Sequence, residues 1–183
     1  RKKEYQKALG LKGRTLGILG YGTIGQKVVQ RARGLGMEIL VWSRSMTPER
    51  AEEENVHYAE SPEELARRAD AVTVHLAAAK ETLKIIDSSF FNAMKPGAIF
   101  VNTSRGDIVD TEALKNAIKE KNIKAALDVY DPEPGSTVAD FEDTALANMI
   151  TCTPHIGAST NQASTAIAEE AVQVIKAFKE KGF

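Results

Sequence analysis

Thr15-Leu16-Gly17-Ile18-Leu19-Gly20-Tyr21-Gly22-Thr23-Ile24-Gly25 reads as a short apolar strand that runs into a glycine-spaced turn and then into a segment of helical period. Gly20, Gly22 and Gly25 have the G-x-G-x-x-G spacing, and the context of strand before and helix after gives that spacing its meaning. Gly20 permits the tight turn, Gly22 lets backbone approach a pyrophosphate, and Gly25 lets helix and strand pack closely. The N-terminus of the following helix offers free N–H groups and a partial positive charge to phosphate. The loop from Gly20 to Gly25, Tyr21 included, is therefore the candidate dinucleotide cradle. Ile24, Val28, Val29, Ala32 and Leu35 recur every three to four residues and predict one inward helix face, with Gly34 and Gly36 ending the helix.

Outward from this βαβ unit, strands are expected near Thr15–Leu19, Glu38–Trp42, Val56–Tyr58, Ala71–Leu76, Ala98–Asn102, Lys124–Val129 and Met149–Thr153. Between them lie helical segments. One starts at Ser61-Pro62-Glu63-Glu64, where Ser61 caps and Glu64 completes a capping box; another opens at Asp110 with Leu114 and Ile118 inward. A long last helix from about Ser159 carries Ala163, Ile167, Ala171 and Ile175 along one stripe. Runs apolar on both faces, such as Ala98-Ile99-Phe100-Val101, suit a parallel sheet covered by helices on each side. The expected fold is a doubly wound α/β domain of Rossmann type. Asp131 to Asp143, rich in Pro, Gly and Ser, reads as a loop long enough to be functional.

The 183 residues fit one domain, and 24 Lys plus Arg against 25 Asp plus Glu leave a formal charge of −1, which excludes a polybasic nucleic-acid binder. No window approaches a transmembrane span, and the single Cys152 cannot form an intrachain disulfide, so a reducing, cytoplasmic compartment is expected. Cys152, in an apolar strand, is expected to be a buried core thiol. The opening Arg-Lys-Lys-Glu, with Tyr5, Ala8 and Leu9 spaced for a helix, leads us to expect a dinucleotide-binding domain over 1–183 that is a fragment of a longer chain.

A ribose-binding acid is expected at the end of the second strand, but Ser43 stands there with Arg44 next. Neither repels a 2′-phosphate, and a guanidinium can pair with one, so either NADP or NAD fits and NADP is favoured. Arg50 could assist. Beyond later strand ends stand Arg105, then Asp128 and Glu133, then His155, which parallel strand order would bring to one rim. An Arg can hold a carboxylate in bidentate fashion, and a His beside a carboxylate can trade a proton near neutral pH. That equipment suits reduction of a ketone beside a carboxylate: Arg105 orients the substrate, His155 protonates the developing alkoxide, and Glu133 supports the imidazolium. His57 and His75 have no metal-ligand spacing and are expected to be structural.

The sequence resembles the cofactor-binding domain of the D-isomer-specific 2-hydroxyacid dehydrogenases. The stretches Leu16 to Gly25, Met94 to Asp110, Ala126 to Pro134 and Thr153 to Thr160 carry the resemblance, in family order. It implies that Arg105 binds the substrate carboxylate and carbonyl, that Glu133 and His155 form the acid–base pair, and that Asp128 holds the nicotinamide carboxamide. It also implies cofactor contacts from Thr23, Ile24, Thr103 and Ser104, with Arg105, His155 and Gly157 at the same rim. The His155-Ile156-Gly157-Ala158-Ser159-Thr160 ending looks most like phosphoglycerate dehydrogenases, implying 3-phosphoglycerate as substrate and a place in serine biosynthesis. A homodimer, no nucleic acid and no membrane partner are implied as well. Two departures stand out: Ser43 where the family has an acid, and Ala77-Ala78-Ala79 where a Pro is usual. A substrate domain is absent from these residues, so the chain alone is expected to turn over little. Two competitors are a corepressor-type module that senses NAD(H) and assembles with partners, and, more weakly, a methyltransferase, which would not need the later Arg, Glu and His.

Overall fold

β1 (Thr15–Leu19) leads through Gly20–Gly22 into α1 (Thr23–Gly34), and β2 (Glu38–Trp42) returns parallel to β1, with Thr15 opposite Glu38 and Leu19 opposite Trp42. These bounds are the ones the apolar pattern predicts. The computed structural model describes residues 10–133 and 141–181. The expectations for Tyr5, Ala8 and Leu9, and for the Pro134–Ser136 part of the long loop, lie outside the described residues.

After β2 come α2 (Pro48–Glu53), β3 (His57–Tyr58), α3 (Pro62–Arg68), β4 (Ala71–Val74), α4 (Ser88–Ala93) and β5 (Ile99–Asn102). Then follow α5 (Thr111–Lys121), β6 (Lys124–Leu127), α6 (Thr144–Ala147), β7 (Thr151–Cys152) and α7 (Asn161–Lys181). The sheet is parallel throughout with seven strands in the order β3-β2-β1-β4-β5-β6-β7, a doubly wound arrangement. Its order reverses between β1 and β4, which places a crevice at their carboxyl ends, where Gly20 and His75 stand. A Cβ on Gly20, whose φ is +99°, would lie 2.6 Å from the His75 carbonyl oxygen, so the turn tolerates only glycine.

Alternation along the strands sorts the core into two layers. Ile18, Ile39 and Val41 pack with Val29 and Ala32 of α1 and Ala51 of α2. Leu19, Leu40, Val72, Val74, Phe100 and Leu127 face the other way, against Leu65 of α3, Phe90 and Phe91 of α4 and Leu114 of α5. Helices cover both faces, as expected of a sheet apolar on both sides. The starts of α3 and α5 are capped as the sequence predicts. Ser61 Oγ accepts from Glu64 N at 3.1 Å and Asp110 Oδ1 from Ala113 N at 3.0 Å, but the expected capping box is displaced by one residue, Glu64 Oε2 accepting from Glu60 N and not from Ser61 N.

Phe90, Phe91 and Phe100 form an edge-to-face trio with ring centroids 5.2–6.3 Å apart, all three fully buried. Phe100→Ala is expected to lower unfolding free energy by about 3–5 kcal/mol, measured by denaturant titration, because close-packed rings leave a cavity that neighbours cannot refill.

Three expectations need correction. On α1, Val29 and Ala32 are buried and Val28 packs against their cluster, but Ile24 and Leu35 are exposed. Ile24 sits in the first turn, level with the sheet's carboxyl edge, and Leu35 lies past the last turn, so neither reaches the strands. The α7 stripe is not inward either: Ile167 is 71% and Ile175 67% exposed, and only Ala163 is partly covered. Cys152 is exposed because its strand, at the edge of the sheet, has no helix packed over its face among the described residues.

Candidate active site

The glycine loop has the shape an anion needs. Gly22 is the N-cap of α1 with extended backbone, no side chain caps the helix, and its first turn has no acidic residue. The space over Gly22 is open: a Cβ there would meet nothing within 4 Å. Gly25 is the opposite case, with a Cβ that would fall 2.3 Å from the Gly20 carbonyl oxygen, so it sets the close approach of helix and turn. Thr23 and Ile24 are exposed at the helix start. Tyr21 differs from the other loop residues, because its side chain turns into the core beside Val29 and Met46 and donates to Glu54 Oε2 at 3.0 Å. Burial and then the Glu54 carboxylate push its hydroxyl pKa up. Only the backbone of Tyr21 is left to face a ligand.

At the end of β2, Ser43 is half-buried and Arg44 is exposed. Arg50 is the better anchored cation. Its Nη1 donates to the Ser45 carbonyl and hydroxyl oxygens at 3.3 and 3.4 Å, and its guanidinium lies 5.7 Å from the Tyr21 ring centroid. At the end of β4, His75 Nε2 lies 3.1 Å from Thr73 Oγ1, and burial lowers its pKa, which suits the structural role expected of it.

Adjacent strands β5, β6 and β7 deliver the remaining candidates. The exposed Arg105 follows β5, where its Nη1 donates to the Ser104 carbonyl oxygen at 2.6 Å; Thr103 and Ser104 precede it. Past β6 stand Asp128 and Glu133, and past β7 stands His155. His155 Nδ1 and Glu133 Oε1 are 2.8 Å apart, so the pairing expected from spacing is present. With Nδ1 engaged by the carboxylate, Nε2 is the atom free to exchange a proton.

Asp128 is only 4% exposed and supports the His155 turn. Its Oδ1 accepts from Thr153 Oγ1 at 2.5 Å and Ile156 N at 2.9 Å, and its Oδ2 from Gly157 N at 2.8 Å. These bonds hold His155 at φ +54°, a left-handed conformation uncommon outside glycine. A Cβ on Gly157 would lie 2.8 Å from Asp128 Oδ2, which excludes a side chain there. Desolvation, the largest influence, raises the Asp128 pKa, but the bonds from Thr153, Gly157 and Ile156 and the charge of His155 together hold it below the usual carboxylate value. A depressed folded pKa stabilises above the unfolded value of about 3.9, and that stabilisation is lost as pH falls through the folded value. Ile156 and Gly157 amides are therefore expected to lose hydrogen-exchange protection below about pH 4, before the core strands do, as read by NMR.

Sequence reasoning missed Asn102. It is polar and 1% exposed, in the inward register that Phe100 occupies two residues earlier, and that break in an apolar strand was the available signal. Among the described residues, no helix is long and apolar enough to cross a membrane.

Residues 1–157 match the family described as D-isomer specific 2-hydroxyacid dehydrogenase, NAD binding domain. The glyoxylate reductase of Thermococcus litoralis is 42% identical over 170 residues, covering 92% of this chain and 50% of that protein. The D-3-phosphoglycerate dehydrogenase of Methanocaldococcus jannaschii is 40% identical over 175 residues, 93% of this chain and 33% of that one. The apo structure of Rhodotorula graminis D-mandelate dehydrogenase superposes with a TM-score of 0.85 at 32% identity, covering 97% of this chain and 51% of that one. The chain thus spans from a third to about half of the length of these relatives.

Proposed function

The chain belongs to the D-isomer specific 2-hydroxyacid dehydrogenase family, of which it carries the NAD-binding domain, and from that premise we propose that it is the nucleotide-binding half of an enzyme interconverting a D-2-hydroxy acid and its 2-keto acid. The observation that carries the reading is the His155–Glu133 contact at 2.8 Å on the rim where Arg105 also stands. The pair argues for the enzyme over a corepressor-type sensor, although such a sensor can retain these residues, and turnover by the complete protein separates the two.

The chain's own residues fit a dinucleotide. Gly20, Gly22 and Gly25 with the free amides at the start of α1 would cradle its pyrophosphate, and Ser43 and Arg44 would flank its ribose. Thr23, Ile24, Thr103 and Ser104 would line the remaining wall, with Gly157 beside His155. Asp128 has one oxygen with a single donor and could accept a carboxamide N–H while holding the His155 turn. When bound, the nicotinamide supplies or accepts the hydride. Arg105 orients the substrate carboxylate. His155 Nε2 gives a proton to the carbonyl oxygen in reduction and takes it back in oxidation, and Glu133 stabilises the charge on the ring meanwhile.

Glyoxylate and 3-phosphoglycerate are the substrates that the names of the relatives suggest. A second wall is needed to enclose either one, and we propose that it comes from a substrate domain outside these 183 residues, the chain alone turning over little. Assembly as a homodimer belongs to the same proposal, supported by the exposed apolar residues of α7. The test is reduction of glyoxylate and oxidation of 3-phosphoglycerate by the complete gene product with each nicotinamide cofactor. Failure with every 2-keto and 2-hydroxy acid tried, despite cofactor binding, would favour the sensor.

NADP preference is the finer part of the proposal, and it rests on Ser43 and Arg44 where a carboxylate would repel the 2′-phosphate. Arg44→Ala is expected to weaken NADP binding by about 10-fold or more, since a charge-assisted bond contributes roughly 1.5–3 kcal/mol, and to leave NAD binding within about 2-fold. Equal losses in calorimetry would show that Arg44 does not distinguish the two.

A further inference from the structure

Arg105 is three residues past the end of β5, in a segment without regular structure, yet a residue that must meet a carboxylate squarely cannot hang on a loose loop. The restraint comes from Asn102. Its Oδ1 accepts from Ser104 N at 3.0 Å and Ser104 Oγ at 2.8 Å, and its Nδ2 donates to the Arg105 carbonyl oxygen at 2.8 Å. One buried amide thus ties both sides of the Ser104–Arg105 peptide, and the Asn102 carbonyl accepts from Asp128 N at 3.0 Å, joining this clamp to β6. On the far side, Gly106 is pressed against the next loop, where a Cβ would stand 1.8 Å from the Tyr130 carbonyl oxygen.

A core residue needs no polar head at that depth, and the bonds this amide makes all go to its own loop, Oδ1 accepting two from Ser104 and Nδ2 donating one to Arg105. We propose that Asn102 is the positioning residue of Arg105, fixing the guanidinium's backbone so that it presents to the substrate carboxylate. This rests on the reading of Arg105 given under Proposed function.

The test uses the complete gene product with glyoxylate as the probe. Asn102→Ala leaves Ser104 N, Ser104 Oγ and the Arg105 carbonyl without their partner. The expected result is a KM for glyoxylate raised by about 10-fold or more, well beyond any rise in the coenzyme KM that freeing Ser104 brings, since a misplacement near 1 Å can cost about 100-fold. A merely structural defect reduces the active fraction, lowering apparent kcat and moving neither KM. Ser104→Ala removes one bond of the clamp and should raise the glyoxylate KM in the same direction by less, about 2–5-fold. It decides the matter if Asn102→Ala does not fold. Hydrogen exchange at the Ser104 amide should quicken in both variants.

Unchanged glyoxylate KM in these variants while Arg105→Ala raises it would overturn the role given to Asn102 alone. A rise in coenzyme KM instead would also overturn it. Unchanged glyoxylate KM in Arg105→Ala would overturn the reading of Arg105 and the proposal together, and quickened exchange at Ser104 would then mark the clamp as architecture only.

Discussion

His155→Ala in the complete gene product is expected to lose about 10²–10⁴-fold in turnover while its affinity for the nicotinamide cofactor stays within a few-fold. The split follows from where the side chain stands. His155 hangs from a turn that Asp128 holds through Ile156 N and Gly157 N, bonds that do not involve the imidazole, so truncating it leaves the turn standing. What disappears is the Nδ1 contact to Glu133 at 2.8 Å and the Nε2 atom that moves the proton. Reduction uses the protonated ring and oxidation the neutral one, so the two directions should respond to rising pH in opposite senses in the parent protein. Steady-state rates in both directions, with coenzyme dissociation constants measured separately, check the claim. Near-normal turnover in the variant would assign the proton to another group.

Much of this arrangement could be read before any coordinates, because the signals were local. The β1–α1–β2 unit needs only a five-residue apolar run, three spaced glycines and one helical period, and those bounds coincide with the observed ones. The caps of α3 and α5 were legible for the same reason, a side chain bonding its own first turn. Parallel order then brought the strand-end residues to one rim, and the His155–Glu133 contact appears where spacing suggested.

Misreadings arose where an apolar residue's fate depends on its neighbours in space. Periodicity says that Ile24, Ile167 and Ile175 share a face with other apolar residues, but not whether a strand lies under that face. Cys152 reads as core in a one-dimensional window and is exposed because no described helix packs over the edge strand β7. The short α2, α4 and α6, of six, six and four residues, carry too few turns for a period to show. Asn102 and Thr153 act through bonds to loop groups, some of them beyond the next strand, and no spacing rule announces those.

The central claim, that the glycine loop is a dinucleotide cradle, is open to a test in which structure and binding separate. Gly25→Val would confuse the two, because its side chain collides with the Gly20 carbonyl. Gly22→Val does not: its φ of −81° and ψ of −167° are open to any residue, and the space over it holds no protein atom within 4 Å. The variant should therefore fold and melt nearly as the parent does, with a valine occupying the volume that a pyrophosphate needs above the first amides of α1. Titration calorimetry of the 183-residue chain with NADH and NADPH is the direct measurement. The account predicts binding by the parent and a loss of at least about 100-fold, or ~2.8 kcal/mol, in Gly22→Val. Equal affinity in the two proteins, or a parent that binds neither cofactor, would contradict it.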